Sequence, residues 1–111
     1  MKTNEVLENI KARRSVRAYT EQQVPEEDLQ AILEAATYAP SGMHLETWHF
    51  TAIQNVSKLA ELNERIKGAF AKSDDVRLQE RARNKAYCCY YHAPTLVIVS
   101  NEPTQWWAGM D

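Results

Sequence analysis

Apolar residues at helical spacing open the chain. Val6, Leu7 and Ile10 predict a short helix over residues 3–12, ending at the basic cluster KARRSVR. In TEQQVPEEDLQAILEAATYAP, Pro25 precedes Glu26, Glu27 and Asp28, a favourable first turn for a second helix. Leu29, Ile32, Leu33 and Ala36 form its apolar stripe, and Pro40 ends it. WHFTAI, residues 48–53, alternates bulky and polar positions and predicts a strand. A third helix follows, with Ser57 as the expected N-cap and Leu59, Leu62, Ile66 and Phe70 along one face. DDVRLQERARNKAYCCYYH predicts a charged, solvated fourth helix that turns aromatic at Tyr87, Tyr90 and Tyr91. Pro94 closes it, and the continuous apolar run of TLVIVS suits a central strand buried on both faces. In the tail NEPTQWWAGMD, Glu102, Pro103 and Thr104 resemble a helix start, followed by Trp106, Trp107 and Met110.

The predicted order is α–α–β–α–α–β with an opening helix at the end. Two strands make a poor sheet for an independent domain. The expectation is therefore a portion of something larger, or a protein that completes itself by association through Trp106 and Trp107. The 111 residues fit one domain, and 44% hydrophobic with 25% charged residues is ordinary for a soluble protein. A formal net charge of -2 gives no reason to expect nucleic acid or an anionic membrane as partner. No apolar run approaches the roughly 20 residues of a membrane span, and the N-terminus lacks a signal-peptide core. These features predict a cytoplasmic protein. The two cysteines, Cys88 and Cys89, are adjacent, so a disulfide between them would be strained. The expectation is two part-buried thiols on a helix, with a redox-sensitive pair as the alternative.

Two short stretches carry candidate chemistry. RRSVR, residues 13–17, sets three guanidinium groups and a hydroxyl close together. Guanidinium forks match phosphate oxygens and also donate to carbonyls; the alternative is a solvated basic turn paired with nearby carboxylates. PSGMHLETW offers the Ser41 hydroxyl, a close main-chain approach at Gly42, and His44 and Glu46 on one side if the segment is extended. The alternative is a polar loop. His44 and His49 lack a third metal ligand nearby, so no metal is expected. No nucleophile elbow, phosphate loop or dinucleotide fingerprint occurs. Tyr90, Tyr91 and His92 suit helix-end packing better than a proton relay.

Taken in order, RRSVRAYTEQQVPEEDLQAILEAATYAPSGMHLETWHF (Arg13 to Phe50) and HAPTLVIVS (His92 to Ser100) resemble the nitroreductase family of flavoproteins. The resemblance implies an α+β nitroreductase-like, FMN-dependent fold. Residues 1–111 would form a single domain, the N-terminal portion of the family fold, ending soon after the second strand. It implies FMN at a homodimer interface, NAD(P)H as reductant, and a nitro compound, quinone or similar small molecule as electron acceptor. Carried over by position, Arg13, Arg14, Ser15 and Arg17 would contact the flavin from one subunit. Pro40, Ser41 and Gly42 would do so from the other, with His44 and Glu46 where the family usually has Asn and Gln. The family's Pro before the tryptophan is Thr47 here. An ionised Glu only accepts hydrogen bonds, whereas an amide also donates. No side chain is expected to act as acid, base or nucleophile, because the flavin carries the chemistry. The alternative from another class is a non-catalytic, self-associating module.

Overall fold

The structure is a computed structural model that describes residues 2–40 and 45–102. Helix α1, Glu5–Ala12, is closed at its start by Asn4, whose Oδ1 accepts from the Leu7 N–H at 2.9 Å. Glu5 and Glu8 lie in its first turn and Lys11 in its last, which complements the helix dipole. Helix α2, Glu26–Thr37, begins after Pro25, whose φ of -58° already suits the helix start. Helices α3, Val56–Ala71, and α4, Val76–Arg83, form a hairpin. Asn55, two residues before Ser57, is the N-cap of α3: its Oδ1 accepts from the Lys58 N–H at 3.0 Å. Asp75 caps α4 in the same way, and its side-chain bond to Arg77 holds the carboxyl below its usual pKa. That contribution is complete above the usual carboxylate range and is lost as pH falls through the lowered pKa.

Strands β1, Trp48–Ile53, and β2, Leu96–Asn101, pair antiparallel, from Trp48 opposite Asn101 to Ile53 opposite Leu96. Trp48 and Phe50 share one face, with ring centroids 5.3 Å apart. Both are half-buried, so they anchor β1 without being enclosed. β2 departs from the expectation of a strand buried on both faces: Ile98 and Val99 are exposed. The physical reason is that, among the described residues, the sheet has two strands, so β2 has one neighbour and an open edge.

The buried apolar side chains among the described residues are Leu29, Leu59 and Cys88. Leu59 is 1% exposed and sits where the α3 stripe faces the rest of the chain. The α1 stripe forms as predicted, yet Val6 and Ile10 are each 67% exposed. Helix α4 is shorter than expected. It stops at Asn84, whose Oδ1 turns back to accept from the Ala86 N–H at 2.9 Å, while the Lys67 ammonium donates to its carbonyl. Cys88 and Cys89 therefore lie in the turns after α4, not on a helix. The tail with Trp106, Trp107 and Met110 lies outside the described residues.

Buried Asn63 ties α3 to those turns. Its Nδ2 donates to the Tyr87 carbonyl at 3.2 Å, and its Oδ1 accepts from the Cys89 N–H at 2.9 Å. Asn63→Leu leaves both backbone groups unpaired, and we expect a loss of about 1–3 kcal/mol in a urea titration. Unchanged stability would show that water satisfies both groups.

Candidate functional site

Residues 13–20 follow α1 as an exposed segment without regular structure. Arg13 leaves the helix with φ -55° and ψ 135°, and its N–H donates to the Asn9 carbonyl. The Arg14 guanidinium folds back, donating from Nη1 to the Lys11 and Arg13 carbonyls at 3.0 and 2.8 Å. It thus satisfies carbonyls that the end of α1 leaves without a helical partner. Arg13 and Arg17 meet no carboxylate among the described residues, where the ion pairs are His49–Glu102, Arg65–Glu61 and Arg77–Asp75. Ser15 lies exposed between Arg13 and Arg17. The Tyr19 hydroxyl donates to the Val16 carbonyl at 2.8 Å and shapes the exit of the segment.

A group of polar residues that carries no sequence signature ties down the chain that follows this segment. Gln23 Nε2 donates to the carbonyls of Gln54 at 3.2 Å and Pro94 at 3.0 Å. Gln54 Nε2 reaches Gln23 Oε1, the Val24 carbonyl and Thr95 Oγ1 at 3.2, 3.1 and 3.0 Å. The Thr95 hydroxyl donates to Gln23 Oε1, which also accepts from the Val24 N–H. Gln54 follows β1 and Thr95 precedes β2, so this node clamps the chain after the arginines to one end of both strands.

The second stretch is described in part. Ser41, Gly42 and His44 lie outside the described residues. Pro40 is exposed after α2, whose end is closed by N–H bonds from Tyr38 and Ala39 to the Ala35 and Ala36 carbonyls. Glu46 has φ 48°, the left-handed region, so the chain is not extended there. The extended backbone expected at Glu46 is therefore not found, while His44 lies outside the described residues. Thr47 makes its own use of the position: its hydroxyl donates to Asn101 Oδ1, and its carbonyl accepts from the Glu102 N–H at 3.0 Å. A proline has no hydroxyl for the first bond. The Trp48 indole N–H is buried and has no acceptor among the described residues. No hydrogen bond among those residues joins the 13–17 segment to Pro40, Leu45 or Thr47.

Of Tyr90, Tyr91 and His92, the first and last pack together, whereas Tyr91 is exposed. Tyr90 and His92 meet edge to face at 6.3 Å, and Tyr91 and His92 both take φ 56° in the turn. Tyr90 and His92 border a groove of about 520 Å³ with Glu21, Val56 and Leu59. Among the described residues, no group of three or more His, Cys, Asp or Glu side chains could hold a metal ion, and His49 Nε2 instead contacts Glu102 Oε1 at 2.7 Å. No helix among them is long and apolar enough to cross a membrane.

Comparison with known proteins gives a consistent result. The Nitroreductase family model matches residues 10–111. A nitroreductase of Bacteroides fragilis, crystallised with bound FMN, is 77% identical and superposes with a TM-score of 0.90 over 97% of this chain and 58% of its own. A protein of Methanothermobacter thermautotrophicus, provisionally named an NADH dehydrogenase/NAD(P)H nitroreductase, is 43% identical over 60 residues, 54% of this chain and 31% of its own length. The iodotyrosine deiodinase of Hydra vulgaris is 37% identical over 65 residues, 59% of this chain and 24% of its own. The matched stretches thus span about a third or less of these two curated relatives.

The polar node yields a direct test. Gln23→Ala removes its links to the ends of both strands, each contributing about 0.5–1.5 kcal/mol. We expect trypsin to cut after Arg13, Arg14 or Arg17 about fivefold faster, with unchanged far-ultraviolet circular dichroism. An unaltered cleavage rate would mean that the node does not hold the arginine segment.

Proposed function

The chain belongs to the nitroreductase family, and on that premise we propose that it is the flavin-holding part of an FMN-dependent oxidoreductase. When bound, FMN supplies hydride transfer from NAD(P)H to a nitro compound, quinone or similar small acceptor. The observation that carries this reading is the exposed pair Arg13 and Arg17, which meets no carboxylate among the described residues. Such a donor set suits a ligand with a phosphate and several carbonyl oxygens, because charge-assisted bonds from a planar fork are strong and directional.

The residues divide by role. Arg13, Ser15 and Arg17 would donate to the ligand, and Arg17 also borders the groove that contains Tyr87 and His92. Arg14 spends part of its donor capacity on the end of α1, so its contribution is to orient the segment. Pro40, Ser41 and Gly42 would present a second edge of the site, with His44 and Glu46 tuning it. In a homodimer this second edge would come from the partner subunit. The same reading places the protein in the cytoplasm.

Adding FMN to the purified chain tests the proposal. A perturbed flavin spectrum, quenched flavin fluorescence and NAD(P)H consumption that depends on a nitro compound or quinone are expected. A chain that leaves the flavin spectrum unchanged yet sediments as a dimer would favour the non-catalytic module. Arg13→Ala removes a charge-assisted contact worth about 1.5–3 kcal/mol, so FMN affinity should fall tenfold or more with an unchanged melting temperature. Arg14→Ala should act the other way round, lowering thermal stability more than affinity. Glu46→Gln replaces an acceptor-only carboxylate beside an anionic ligand and should tighten FMN in a binding titration; equal affinity would show that Glu46 faces away.

A further inference from the structure

Asn63 and Lys67, four residues apart, share one face of α3. Both reach the chain that follows α4. Asn63 is 8% exposed, and its amide serves backbone groups on either side of Cys88. Its Nδ2 donates to the Tyr87 carbonyl at 3.2 Å, and its Oδ1 accepts from the Cys89 N–H at 2.9 Å. The Lys67 ammonium donates to the Asn84 carbonyl at 3.1 Å, and that carbonyl also accepts from the Tyr87 N–H. Helix α3 thus grips the stretch from Asn84 to Cys89 at both ends. The chain then folds back on Cys88, whose carbonyl accepts from the Tyr91 N–H at 3.1 Å and whose Sγ accepts from the His92 N–H at 3.3 Å. Tyr91 and His92 both take φ 56°, a left-handed backbone that non-glycine residues keep only where their surroundings hold them.

This held stretch is a wall of the groove at Arg17. Arg17 lines a space of about 300 Å³, and every other described residue lining it lies between Asn84 and His92. Tyr87 and Cys88, the residues that Asn63 brackets, are among them. The shape of the groove beside Arg17 is therefore set by how α3 holds that stretch, and Asn63 is the buried side chain in that hold. A primary amide suits the task because it offers a donor and an acceptor at once to backbone groups of opposite polarity.

Resting on the reading of Arg17 as a flavin contact, we propose that Asn63 is a positioning residue for FMN. It touches no ligand itself. It acts through the Tyr87–Cys89 backbone, keeping the groove beside Arg17 in shape before a ligand arrives. A site held in shape loses less ordering entropy on binding, so its affinity depends on the residues that hold it.

The test titrates the full chain and its variants with FMN, read by flavin fluorescence and by the visible spectrum of the bound flavin. Labelling of Cys88 by monobromobimane, followed by tandem mass spectrometry without FMN, reports the wall independently. Asn63→Leu should weaken FMN about tenfold, alter the bound-flavin spectrum and speed Cys88 labelling about tenfold. Asn55→Ala is the control: it removes the cap at the start of α3, outside the residues that line the Arg17 groove, and should leave all three readouts as in the parent. Asn63→Asp keeps an acceptor for the Cys89 N–H and loses the donor to the Tyr87 carbonyl. It should also weaken FMN, and it decides the matter if Asn63→Leu does not fold. The proposal alone is overturned if the parent binds FMN and the Asn63 variants bind it equally well with the same spectrum, or if Asn55→Ala weakens FMN as much as they do. A parent that leaves the flavin spectrum unchanged overturns the reading of Arg17, and the proposal with it.

Discussion

The arrangement of the described residues depends on one small polar node. Gln23, Gln54 and Thr95 exchange hydrogen bonds at the end of the two-stranded sheet, where three chain segments converge. The segments are far apart in sequence, and among the described residues there is little apolar burial to hold them by packing. A side-chain amide suits the task because it donates and accepts at once, so two glutamines and a hydroxyl can satisfy several backbone carbonyls together. Through this node the chain after the basic segment is tied to the ends of both strands. The node couples cooperatively, since each group both gives and receives.

Much of the element order was legible from periodicity alone. Leu59, Leu62, Ile66 and Phe70 marked α3 because a helix repeats every 3.6 residues, and WHFTAI marked β1 because a strand repeats every two. The errors have specific causes. Asn55 and Ser57 are both capping residues, and pattern alone does not decide which one takes the extended backbone of a cap. The fourth helix was read too long because Asn84 stops it through a local side-chain turn that leaves the charge pattern unbroken. The apolar run of β2 reflects what that strand is suited to bury, whereas its exposure reflects the strands beside it. The left-handed backbone at Glu46, Tyr91 and His92 has no sequence signal, since none of the three is a glycine.

The site divides along the same line. Arg13, Arg14 and Arg17 stood out by charge density with the Ser15 hydroxyl among them, and the family match over residues 10–111 agrees with the resemblance in the motif order. The different placement of Arg14 could not be read from the sequence, because the four residues are of similar polarity. Arg14 turns inward to the end of its own helix, while its neighbours are left with their charges facing water. Gln23, Gln54 and Thr95 went unmarked for the opposite reason: none is charged, none belongs to a motif, and their meaning lies wholly in convergence.

The register of the sheet has a consequence for how the gene can change in length. Trp48 faces Asn101, Phe50 faces Val99 and Ala52 faces Val97, while His49, Thr51 and Ile53 point to the other side. The Thr47–Asn101 and Glu102–Thr47 bonds lock this pairing at one end, and Gln54 with Thr95 locks it at the other. Loss or gain of a single codon between Thr47 and Gln54 would send the residues on one side of the change to the opposite face and would detach one of the two locks. Insertions and deletions among relatives should therefore be excluded from Thr47–Gln54 and Thr95–Glu102, and fall in the connections between helices.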